Sequence, residues 1–100
     1  MEPKYEWLKI KDDSCIYLED QLSWEEFIPQ GWRVAFGDQM LSELNDILVK
    51  YDLVDGYVIS QIKEKFGELR WYDNGISNEA WNEYWAWEQK YVNLSAVTCI

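Results

Sequence analysis

The chain has 100 residues, a net charge of −10 from 19 acidic and 9 basic side chains, and no histidine. That length makes one domain, residues 1–100, with a small core. The charge opposes direct binding to nucleic-acid phosphates, and the missing imidazole removes the commonest general base near neutral pH. Seven Trp and seven Tyr bury enough area each that few side chains can build the core. The same residue types dominate protein–protein contact sites, so some of them are available to face a partner.

Met1-Glu2-Pro3-Lys4-Tyr5-Glu6 is too polar for a secretory signal, and no window reaches the length of a membrane span. Two cysteines, Cys15 and Cys99, distant in the chain, do not make up a secreted disulfide framework. The chain therefore reads as cytoplasmic with reduced thiols. Trp7–Ile10 and Cys15–Leu18 flank Asp12-Asp13-Ser14 and read as a hairpin. Ser23 followed by Glu26 fits a capping box and predicts a helical turn over Trp24–Phe27, broken by Pro29 and Gly31.

Met40, Leu41, Leu44, Ile47, Leu48 and Tyr51 recur on one helical face. They predict a helix over about 38–51 that opens at Gly37 and Asp38, with Trp32 and Phe36 extending it upstream. Ser42, Glu43, Asp46 and Lys50 fall on its opposite face. Tyr57–Lys63 and Glu68–Tyr72 read as antiparallel strands, joined through Glu64–Gly67 with Gly67 at a positive φ. Asp73-Asn74-Gly75 is a turn, and Ser77 caps a helix over about 78–93. Its expected buried stripe is Ala80, Trp81, Tyr84, Trp85, Tyr91 and Val92, with Trp87 at the edge and Glu83, Ala86 and Lys90 facing away. The fold class is α+β: an antiparallel sheet built on a hairpin at about 57–72, packed against two amphipathic helices.

The run from Gln61 to Gly75, Gln-Ile-Lys-Glu-Lys-Phe-Gly-Glu-Leu-Arg-Trp-Tyr-Asp-Asn-Gly, resembles the core of a family of small phage and prophage proteins. Gly31-Trp32-Arg33, Ala35-Phe36-Gly37, Gln39-Met40, Leu94-Ser95 and Thr98-Cys99-Ile100 extend the resemblance to about two thirds of the chain. It implies a phage setting and carries no activity over to this chain. Longer members of that family continue past Thr-Cys-Ile into further cysteines, which implies a zinc-binding tail there. With Cys15, Cys99 and no histidine, this sequence predicts no metal and no cofactor.

No phosphate loop, nucleophile elbow or dinucleotide fingerprint is present, so the chain reads as a non-enzyme. Residues 12–55 hold eleven acids against Arg33 and Lys50, which is nine of the ten net charges. Such a surface is expected to fill a basic groove on another protein, in place of the phosphates that groove normally takes. With the phage resemblance, this points to an anti-defence, anti-CRISPR-like inhibitor whose partner is a host CRISPR effector or other nuclease. A phage accessory or structural interaction module has the same sequence features. An enzyme or a metal-dependent nucleic-acid binder is a third class. The expected partner-binding residues are Asp12, Asp13, Glu19, Asp20, Glu43, Asp46 and Trp87. Lys63, Lys65 and Arg70 beside Phe66, Trp71 and Tyr72 hold the ingredients of a stacking surface. Cross-strand pairing of Lys63 with Glu68 and of Arg70 with Glu64 accounts for them without nucleic acid.

Overall fold

A computed structural model describes residues 5–9 and 23–99. Within them the order is a 3-10 turn at Glu6–Leu8, another at Trp24–Phe27, α1 (Gln30–Trp32), a π-helical turn (Arg33–Gly37) and α2 (Asp38–Lys50). A 3-10 turn at Val54–Gly56, β1 (Val58–Lys65), β2 (Glu68–Asn74) and α3 (Trp81–Ala96) follow. The hairpin and the two amphipathic helices make the architecture α+β, with α3 packed on β2 and α2 packed on α3.

The first turn is not the strand expected at Trp7–Ile10. Trp7 and Leu8 are both buried, as an alternating half-buried strand would not leave them, and the backbone closes a 3-10 turn. Lys9 forms an isolated antiparallel bridge with Ser23. The remainder of that expected hairpin, including Cys15, lies outside the described residues. The capping box is present: the Ser23 hydroxyl accepts from the Glu25 N–H, and the Ser23 N–H donates to the Glu26 carboxylate, each at 3.1 Å.

The helical run extends upstream of Asp38 through Phe36 and Trp32, as expected, and its entrance is Pro29. The proline has no N–H to leave unpaired at a helix entrance, and its carbonyl accepts from the N–H groups of Trp32 and Arg33, both at 3.0 Å. Gly37 closes the π-helical turn and is buried. Trp32, Phe36, Met40, Leu44 and Leu48 follow one another in steps of four, which drift by about 40° per step on an α-helix. The wider repeat of the π turn takes up part of that drift, and all five side chains stay buried.

Lys65 and Glu68 close the hairpin, and Phe66 (φ 55°) and Gly67 (φ 81°) between them give the paired left-handed conformations of a type I′ turn. Ile59, Ile62, Leu69 and Trp71 line the inner face. The register sets Lys63 opposite Arg70, so the expected cross-strand ion pairs do not form as drawn. Arg70 instead pairs with Glu68, two residues back on its own strand, at 3.4 Å. Trp71 joins the core, while Phe66 and Tyr72 remain exposed.

Gly75 has φ 102° and lies against the backbone of the preceding connection. A Cβ there would sit 2.9 Å from Tyr57 Cα and press on the Gly56 carbonyl oxygen. Gly75→Ala is therefore expected to cost about 2 kcal/mol or more, read as a lowered urea midpoint. A wild-type midpoint would mean that the backbone here relaxes freely.

α3 rotates relative to the stripe expected for it. Its buried row is Ala80, Tyr84, Trp87, Tyr91 and Ser95, whereas Trp81 and Trp85 are 50% and 52% exposed. Two aromatic rows compete for the core on this helix. In the row that enters, two polar tips find acceptors inside: Tyr84 donates to Asp73 at 2.6 Å and Trp87 Nε1 to the Met40 carbonyl at 2.8 Å. Ser77, expected as the helix cap, supports the turn before it, accepting from the Ala80 N–H at 3.4 Å.

Candidate functional site

Two helices that each carry Glu and Lys seven positions apart meet along one seam. On α2 the spacing is Glu43 to Lys50, and on α3 it is Glu83 to Lys90. Seven residues are two turns, so each pair lies on one side of its helix. The helices run antiparallel, which sets unlike charges against each other at both ends. Lys50 Nζ meets Glu83 at 2.6 Å and Lys90 Nζ meets Glu43 at 3.0 Å.

Between these two ion pairs the seam opens into a groove of about 350 Å³, lined by Glu43, Asp46, Ile47, Glu83, Ala86, Trp87 and Lys90. Ala86 is the reason for the opening: its methyl leaves space where the flanking positions carry long charged side chains. Ile47 and Trp87 form the apolar floor. Trp87 is fixed there by its hydrogen bond to Met40 and by an edge-on contact with Trp71, ring centres 5.2 Å apart.

The electrostatics of the groove are lopsided. Partial burial opposes ionisation of Glu43, but Lys90, the neighbouring Tyr91 hydroxyl and Gln39 outweigh it and hold the carboxyl below its ordinary range. The Lys50 hydrogen bond, against some desolvation, does the same for Glu83, with Tyr51 donating to the same carboxylate at 3.1 Å. Asp46 is exposed, and among the described residues no cation pairs with it. Three carboxylates against Lys50 and Lys90 leave the seam with one negative charge in excess. Such a site can hold a cation over an apolar floor. The described residues contain no cluster of three metal-ligating side chains.

Of the residues expected to bind a partner, Glu43, Asp46 and Trp87 converge on this groove. Trp87 needs correction, because at 4% exposure it is the floor of the groove and not an aromatic at its rim. Glu43 also differs from expectation, since it sits on the helix–helix seam and not on a free face. Asp12, Asp13, Glu19 and Asp20 lie outside the described residues. Glu83, Ala86 and Lys90 face away from the core, as expected, and form the second wall of the groove. Their signal in the sequence is the repeated Glu-to-Lys spacing, which becomes informative only once the helices are known to be antiparallel.

A second polar cluster lies on the other side of α3. Asp73 Oδ2 accepts from the hydroxyls of Tyr57 at 2.5 Å and Tyr84 at 2.6 Å, and the Tyr57 oxygen accepts from Trp71 Nε1 at 2.9 Å. Burial raises the Asp73 carboxyl against the pull of these donors. Burial and the charge of Asp73 raise Glu88 nearby. Both tyrosines are almost fully buried, so the cluster ties β2, α3 and the strand entrance together and leaves no room for a substrate. No helix among the described residues is long and apolar enough to cross a membrane. No protein-family profile, curated protein or solved structure matches this chain.

Proposed function

We propose that this protein is a binding inhibitor that occupies the basic nucleic-acid groove of a bacterial nuclease or effector, CRISPR effectors included, with carboxylates in place of phosphates. It works in the host cytoplasm and catalyses no reaction. The observation that carries the reading is the meeting of Glu43 and Asp46 with Glu83 above an apolar floor. It lies on the helix that belongs to the most acidic part of the chain. A negative patch with a hydrophobic base offers both steering by charge and area to bury.

The test begins with the partner captured from a bacterial lysate by the tagged protein. Association is then measured as salt is raised, with Asp46→Lys beside the wild type. The association rate is expected to fall with salt. Asp46→Lys is expected to weaken affinity about tenfold or more, roughly 1.4 kcal/mol, and the partner's own nucleic acid is expected to compete. Asp46 is the clean position because it makes no ion pair within the described fold. Glu43→Lys would face Lys90 and disturb the seam itself. Unchanged affinity of the Asp46 variant at low salt, with no competition by nucleic acid, removes the proposal. A partner without a nucleic-acid groove moves the reading to an accessory interaction module.

A further inference from the structure

The seam between α2 and α3 is a ladder of charges with one rung incomplete. Its outer rungs are closed inside the chain by Lys50–Glu83 and Glu43–Lys90. At the middle rung Asp46 supplies an anion and α3 supplies Ala86, which has no charge to give. The two closing lysines are already engaged. Each also lies over an aromatic ring, Lys50 over Tyr51 at 5.3 Å and Lys90 over Tyr91 at 5.1 Å. The space left is an open groove of about 350 Å³, anionic at its rim and apolar at its floor, where Ile47 and Trp87 lie.

From this we infer that the groove is a receptor for a single arginine side chain of a partner protein. The inference rests on the acidic contact face proposed above and names what enters it. The methylene stem of arginine would lie on Ile47, Ala86 and Trp87, as long cationic side chains do over apolar surface. The planar guanidinium would close the middle rung by pairing its two N–H edges with the Asp46 carboxylate. Lysine offers a single, strongly hydrated charge and fits the carboxylate less well. Glu43 and Glu83, both held ionised by their lysines, would keep the site attractive to a cation while staying in place as its walls.

The occupant can be supplied from within. Ala86 is exposed on α3, so Ala86→Arg puts a guanidinium beside Asp46 without entering the core. The test is a titration of the full chain with a penta-arginine peptide at low ionic strength, followed through backbone amide shifts in NMR. Wild type is expected to show saturable shifts at Asp46, Ile47, Ala86 and Trp87. Ala86→Arg is expected to melt at or above the wild-type temperature and to weaken peptide binding at these residues about tenfold. Asp46→Asn, which adds no bulk, is expected to weaken it comparably. Asp55→Asn changes net charge by the same single unit as Ala86→Arg at a site outside the seam. It is expected to stay within about twofold of wild type, and a penta-lysine peptide is expected to bind more weakly than penta-arginine. Equal weakening by Asp55→Asn and Ala86→Arg overturns the inference, as do shifts spread over all acidic residues or the absence of saturable binding. Those outcomes leave the acidic-face proposal standing or falling on the Asp46→Lys and salt measurements with the captured partner.

Discussion

Leu44→Asp is expected to leave the chain largely unfolded at 25 °C. Leu44 is fully buried on α2, between Met40 and Leu48 and within reach of the aromatic row of α3. Removing a leucine of this kind costs about 2–5 kcal/mol. An aspartate in its place adds the penalty of a charge with no partner. The sum rivals the whole stability of a small domain, about 5–15 kcal/mol. Val49→Asp, on the exposed face of the same helix, is the matched control and is expected to stay within about 0.5 kcal/mol of wild type. Both are read by circular dichroism in a thermal melt. Equal melting temperatures for Leu44→Asp and wild type would mean that α2 does not pack through this stripe.

That α2 was legible in the sequence, and α3 only partly so, has a physical cause. On α2 the apolar residues are aliphatic and occupy a single stripe, so periodicity alone identifies the buried face. On α3 the aromatics form two rows, Trp81 with Trp85 and Tyr84 with Trp87 and Tyr91, and apolar character does not choose between them. Two members of the row that enters find acceptors on other elements, Asp73 for Tyr84 and the Met40 carbonyl for Trp87, which local periodicity cannot see. The upstream extension through Phe36 and Trp32 is legible, but its first residue is not: Pro29 and Gly31 look like breakers, yet Pro29 sets the start and Gly31 lies inside the helix. The groove was half legible. Its acids stood out by charge, but Ala86 signals nothing until Lys50–Glu83 and Glu43–Lys90 place it opposite Asp46.

Asp73 shows the same limit from another side. In the sequence it opens an Asp-Asn-Gly turn. In the fold that turn does not form: Asp73 lies within β2, paired with Ile59, and is the common acceptor for two buried tyrosines. Asp73→Ala is expected to cost about 3–5 kcal/mol, because the Tyr57 and Tyr84 hydroxyls would each lose a charged acceptor in a site nearly closed to water. Asp73→Asn keeps a side-chain oxygen at the same place and is expected to cost much less. The two variants separate the need for an acceptor from the need for a charge.

The pH dependence supplies a further readout with a definite sign. Burial raises the Asp73 carboxyl in the folded state. The folded state therefore takes up a proton more readily than the unfolded one, and this group adds stability as pH falls through its folded pKa. Glu43 and Glu83 work the other way. Their carboxyls are depressed in the fold, so their contribution is present above the ordinary carboxyl range and is lost as pH falls through their lower folded values. That contribution is small, because both ion pairs are open to solvent. Wild type is expected to gain thermal stability from neutral pH down toward the top of the ordinary carboxyl range, about pH 4–5, and to lose it below. Asp73→Asn is expected to flatten the gain and keep the loss, because it removes the raised carboxyl and leaves the α2–α3 seam untouched. An unchanged rise in the Asp73→Asn melt would assign the rising limb to another buried acid, with Glu88, raised by burial and by Asp73, as the first to replace.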